Sequence, residues 1–314
     1  MLSRRLLRVK VMQSMYAYYH KEDVSLQKVE KELFHSIYKS YELYHLLLLL
    51  IVEIHAFAVD RIDRGKTKKR PSLADLNPNR RFIDNVVLNQ LASNSSLLKF
   101  KSATGISWVN NPELIRSLYS KILESDLYNR YMESGESDYN SQKRFVVKLV
   151  EKVIGQYEDL YNQLEEQSIF WNDESEFIVS MVIKTIKEFE EERGDEQILQ
   201  KEFKDSDDKN FVTALFRKAV INRKEFLDLI ENNIQNWDLD RIALMDIILM
   251  QMAMGEMTEF TEIPVKVTLN EYIELAKHYS TPRSATFING LLDKIVNDFK
   301  GDERIVKQGR GLIN

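Results

Sequence analysis

Apolar residues recur at helical spacing along most of the chain. Leu7, Val11, Met15 and Tyr18 form the stripe of a first helix, with Ser3 placed as its N-cap. Leu26, Val29, Leu33, Ile37, Tyr41, Tyr44, Leu48 and Ile51 continue the spacing in a second helix predicted over 25–62. At about 1.5 Å per residue that helix is on the order of 55 Å long, so a kink or split is expected within it. Further amphipathic helices are predicted over 81–100, 111–132, 138–166 and 173–192, and helices over 207–221, 223–235, 239–257, 269–279 and 285–299. Proline at the first helical position after Asn111, and Thr268 followed three residues later by Glu271, read as helix starts, the second as a capping box. The basic run from Arg61 to Arg70, continuing to Arg81, reads as a loop, its Arg61–Arg70 cluster either a solubilising linker or an added phosphate contact. The polar stretch 190–195 reads as a break and residues 301–314 as a disordered tail.

Composition narrows the class. A chain of 314 residues with 44% hydrophobic positions suffices for two domains, or for one with a large insertion. Only 10 glycines and 5 prolines interrupt it, which favours an all-α fold over a turn-rich β fold. The net charge of -5 argues against a protein that coats polyanions wholesale, so any nucleic-acid contact must come from a local basic patch. Absence of cysteine excludes a disulfide framework, a thiolate zinc site and a thiol nucleophile, and fits a cytoplasmic protein. The apolar stretch 46–59 is broken by Glu53 and His55 and falls short of the roughly 20 residues that cross a bilayer. It reads as a buried helix, and no signal peptide is evident at the N-terminus.

Little in the sequence points to catalysis. His35, His45 and His55 are evenly spaced, but ten residues along a helix leave neighbours about 15 Å apart, too far to share a metal. The acidic pairs at 165–166 and 190–191 read as solvated faces, and no phosphate-binding or dinucleotide-binding glycine motif appears. No catalytic, metal or cofactor site is therefore expected. Two features stay open between a bland and a functional reading. Phe287, with Ile288, Leu291 and Leu292, either packs a helix into the core, Gly290 allowing close helix approach, or joins Tyr279 as a stacking surface for unpaired bases, with Asn289 reading base edges. Arg4, Arg5 and Arg8 are either a solvated helix start or a phosphate clamp.

A longer pattern bears on both. Asp240-Arg241-Ile242-Ala243, Glu262-Ile263-Pro264-Val265, Asn270-Glu271, Leu275-Ala276-Lys277 and Phe287-Ile288-Asn289-Gly290-Leu291-Leu292-Asp293 together resemble the C-terminal half of the NusB family of bacterial transcription antitermination factors. The start, Arg4-Arg5-Leu6-Leu7-Arg8 with Gln13 and Tyr16, is similar to that family's arginine-rich first helix. The likeness covers about residues 3–20 and 205–299. It implies a helical bundle of two subdomains: N-terminal helices over 1–60, a helical insertion over 61–204 and a C-terminal subdomain over 205–300. It also implies binding of boxA-type single-stranded RNA together with the ribosomal protein NusE in a transcription elongation complex, with no enzyme activity and no membrane. Arg4, Arg5, Arg8, Tyr279, Arg283, Phe287 and Asn289 are then the expected RNA contacts, and Tyr16 and Asp246 the expected partner contacts. Leu6 and Gln251 stand where the family often has arginine, and Arg283 where it is often acidic. Two rivals are an rRNA-modifying methyltransferase, against which the missing cysteine and glycine-rich cofactor region weigh, and a helical adaptor in rRNA modification or ribosome assembly.

Overall fold

A computed structural model describes residues 2–21, 24–135, 137–234 and 239–312; the last residue of the helix expected over 223–235 falls outside them. Among the described residues the regular structure is helical throughout. The chain divides into two compact units. Residues 38–201 form an inserted unit, and residues 2–37 with 202–312 form a terminal unit.

In the terminal unit, α1 (Arg4–Tyr19) starts where its cap predicts, the Ser3 hydroxyl accepting from the Leu6 amide at 3.3 Å. The unit adds residues 26–37 of α2 (Leu26–Lys66), then α11 (Ser206–Ile221), α12 (Arg223–Asn233), α13 (Leu244–Glu259), α14 (Val265–Tyr279) and α15 (Ser284–Gly301). Helix α13 is the axis: its sequence is apolar on every face, it is buried continuously from Ile248 to Met257, and α1, α11, α12, α14 and α15 pack around it. Helix α14 begins four residues before its predicted start, so Thr268 lies inside it and the expected capping box is absent. The Thr268 hydroxyl donates instead to Glu256 on α13 at 2.9 Å, a stronger acceptor for a buried hydroxyl than any group left at a helix start. Residues 304–312, expected to be a loose tail, are tied down: the Lys307 ammonium donates to the carbonyls of Met257 and Phe260 at 2.9 and 2.8 Å, and Gln308 donates to Thr261. Only glycine fits at Gly311, where a Cβ would stand 2.0 Å from the Thr261 carbonyl oxygen. Residues 313–314 lie outside the described residues.

The inserted unit is built on residues 38–66 of α2, which is one helix to Lys66, so the chain does not split there and part of the predicted basic loop is helix. Its most apolar window is long and hydrophobic enough to cross a membrane, yet 72% of that window is buried within the protein, as a core helix is. The indoles of Trp108 and Trp171 donate to the Leu46 and Lys39 carbonyls, fixing later segments onto this helix. His45 stacks on Phe100 and burial pushes its pKa down to about 4, while His55 bonds to the Ile83 carbonyl. Two predicted helices are divided by polar caps and a third by a turn. Asn85 starts α4 (Val86–Ala92) and Asn94 starts α5 (Ser95–Thr104), after the short α3 (Leu73–Leu76); Ser125 separates α6 (Pro112–Glu124) from α7 (Asp126–Glu133). Helix α8 (Tyr139–Lys152) is parted from α9 (Glu158–Gln167) by a turn at Gly155, where a Cβ would meet Val150 and Val179 at 2.9 Å. Helix α10 (Ser175–Lys187) packs on α8 and closes the unit.

Candidate nucleic-acid interface

The loop joining α14 to α15 is held in one shape by a buried carboxylate. Asp246, in the first turn of α13, accepts from the hydroxyls of Ser280 at 2.5 Å and Ser284 at 2.8 Å, while the Thr281 amide donates to Ser284 Oγ. This pinned loop, the turn 239–241 and the first residues of α13 enclose a pocket of about 600 Å³. Arg241, Arg283 and Phe287 line it, with Pro282 and Ile242 supplying apolar wall. Arg283 is exposed and, among the described residues, has no ion pair. It stands at the N-cap of α15, whose first turn has no acidic residue, so the helix dipole and the guanidinium act in the same direction on an anion.

Phe287 is half-buried and separates this pocket from a second one of about 380 Å³, lined by Ile234, Thr286, Gly290 and Lys294 among others. Gly290 was expected to admit a close helix neighbour. Nothing lies within 4 Å of where its Cβ would be, so the glycine leaves open space in the lining of the second pocket instead. The aromatic ring thus lines two pockets, one holding two guanidinium groups and the other an ammonium. Such a set suits an unpaired base and its flanking phosphates. Arg241 belongs to this set but was missed as a site residue, although it lies within the Asp240-Arg241-Ile242-Ala243 string.

The other expected site residues fare differently. Asn289 is two residues from Phe287, about 200° round the helix. It lines neither pocket, and its amide points to Asp293 at 3.4 Å. Tyr279 is half-buried at the end of α14 and lines neither pocket. Asp246 lines the pocket but is buried, with both oxygens bonded inside the loop, so its part is to shape the surface. Tyr16 is 42% exposed, its ring 4.3 Å from that of His20.

The arginine-rich start of α1 is largely engaged within the protein. Arg8, with its side chain only 4% exposed, makes two 2.7 Å bonds to the wholly buried Glu256, which also accepts from Thr268 and Tyr272. Burial lowers the Arg8 pKa, but the bonds and charge of Glu256 outweigh it and leave the pKa above the ordinary value. Arg8 is therefore corrected from a phosphate contact to an internal cation. Arg5 is 57% exposed and clasps Glu271 through two bonds of 2.9 and 2.7 Å, which hold that carboxyl below its usual range. Arg4 bonds Asp208 at 3.1 Å and lies over the Phe211 ring, with part of its guanidinium still exposed.

The sequence model of the NusB family matches residues 175–297. The transcription antitermination protein NusB of Salinibacter ruber is 44% identical over 109 residues, 35% of this chain and 68% of that protein. That of Chloroherpeton thalassium is 38% identical over 34% of this chain and 50% of its own length. For Natranaerobius thermophilus the identity is 32% over 34% of this chain and 78% of the relative. No solved structure matches the chain.

Proposed function

The chain belongs to the NusB family, and we propose that it acts in transcription antitermination by binding boxA-type single-stranded RNA jointly with the ribosomal protein NusE. The observation that carries this reading is the pocket walled by Phe287, Arg283 and Arg241. Phe287 takes the role of stacking surface, and Arg283 and Arg241 take the adjoining phosphates. Arg4 and Arg5 contribute a weaker contact through their exposed edges. Arg8, Asp246 and Glu256 are positioning residues: the first and last fix α1 against α13, and Asp246 fixes the loop carrying Arg283. Tyr16 is assigned to the NusE side.

Joint binding is tested by titrating the full chain with a boxA-type RNA in the presence and absence of NusE. The expected result is tighter RNA binding with NusE, and tighter NusE binding with RNA by the same factor, since coupling between two ligands is reciprocal. Identical affinities in both titrations would overturn the cooperative reading.

A further inference from the structure

Outside the terminal unit, basic side chains gather between α7 and α8. A cleft of about 440 Å³ there is lined by Arg130, Arg144, Lys148 and Lys152, with Asp126 the single acid. Arg144, Lys148 and Lys152 follow one another at four-residue intervals, so they form a single stripe along α8 about 12 Å long. Arg130 comes from the facing helix. All four are exposed, and among the described residues Arg130, Lys148 and Lys152 have no carboxylate within ion-pair distance. That differs from the basic run at the end of α2, where Arg64, Lys66 and Lys68 pair with Asp60, Asp63 and Asp75.

The floor of the cleft is rigid. Tyr131 and Phe145 stack at 3.7 Å with their planes 10° apart, and the Asn85 amide donates to the Tyr131 hydroxyl at 2.9 Å. Both rings are buried, so the cleft offers a cationic rim over a closed aromatic floor and no exposed ring on which a base would stack. In a chain with a net charge of -5, such a rim holds anions by local charge alone.

We infer that the α7–α8 cleft is a phosphate-backbone site for single-stranded RNA, separate from the Phe287 pocket and blind to base sequence. A linear array of cations fits successive phosphates along a strand, and contacts to phosphate carry affinity without base readout. The concave shape fits a strand better than a flat lipid surface. The inference extends the RNA-binding reading but does not depend on the Phe287 pocket.

The test is an acetylation footprint of the full chain, read by mass spectrometry, with oligouridylate as the probe. Lys148 and Lys152 should be protected by the RNA, while Lys99 and Lys121, exposed residues outside the cleft, should react equally with and without it. The protection should persist in a Phe287→Ala background, which separates failure of this site from failure of the pocket. Joint replacement Arg130→Gln, Lys148→Gln and Lys152→Gln should weaken oligouridylate and boxA-type RNA by the same factor and flatten the salt dependence by about 0.7 in log–log slope per lost phosphate contact. Equal acetylation of Lys148 and Lys152 with and without saturating RNA would overturn the inference. So would protection by polyglutamate as complete as that by RNA, which would assign the cleft to an acidic protein partner.

Discussion

The starts of α1 and α15 both present arginine, yet they differ in what surrounds it. At α1 every arginine meets a carboxylate from a distant part of the chain: Arg4 meets Asp208, Arg5 meets Glu271 and Arg8 meets Glu256. At α15 Arg283 stands beside Phe287 over an open pocket and has no such partner among the described residues. The denser cationic string is thus the one more committed to holding the fold, and the sparser one is available to a ligand. Charge density in a sequence measures binding capacity only after the internal carboxylates have been subtracted.

The largest effect that separates the two regions is expected at Arg8. Replacing it with alanine leaves Glu256 buried without its cation, and loss of one partner from a buried pair costs about 3–5 kcal/mol. Urea unfolding should therefore show a severe loss of stability. A variant of wild-type stability with abolished RNA binding would instead return Arg8 to the interface. Phe287→Ala comes next, and should cost about 1–3 kcal/mol in affinity for boxA-type RNA if the ring stacks a base. Unchanged affinity in a folded variant would remove the stacking role. Arg283→Gln should flatten the salt dependence of RNA binding by about 0.7 in log–log slope, and Arg5→Gln by less, because Glu271 already neutralises Arg5. Equal slopes for the two would erase the contrast between the helix starts.

Two smaller effects sharpen it. Gly290→Ala places a methyl group in open space on a helix, so it should stabilise the protein by about 0.4–1 kcal/mol in thermal unfolding, whereas the bulkier Gly290→Leu should fill the groove beside Phe287 and weaken RNA binding. The Arg5–Glu271 pair joins an exposed guanidinium to a partly covered carboxylate at the surface and contributes about 1 kcal/mol or less. Because the Glu271 pKa is depressed in the folded state, that contribution is present above the ordinary glutamate pKa and is lost as pH falls through the depressed value. Glu271→Gln should accordingly lessen the acid sensitivity of unfolding, and an identical pH profile would show that the pair adds nothing.

Much of the fold was legible because apolar periodicity reports which face of a helix is buried. Helix α1 with its Ser3 cap was readable in this way. Periodicity is blind to a helix that stops and restarts in nearly the same phase, which is why the breaks at Asn94 and Ser125 were read through. Each depends on a side-chain oxygen turning back to a backbone amide, and asparagine and serine occur too often for their presence alone to mark a cap. The site divided along the same line. Phe287 and Arg283 were identified from a local string, whereas the burial of Arg8 depends on Glu256, 248 residues away, which no local pattern contains. The false capping box at Thr268 has the same origin, since Glu256 draws its hydroxyl inward.

The anchored tail has a consequence for handling the protein. The ammonium of Lys307 sits against the last turn of α13, and desolvation there lowers its pKa, with the charge of Glu256 acting in opposition. Trypsin and acylating reagents both need that side chain to leave its carbonyls, so cleavage after Lys307 becomes a clock for the detachment of the C-terminal segment. Lys300, exposed on α15, provides an internal standard on the same peptide map. A side chain introduced at Gly311 would collide with the Thr261 carbonyl and loosen the segment, and its first symptom would be accelerated nicking at Lys307 in a protein that otherwise looks intact.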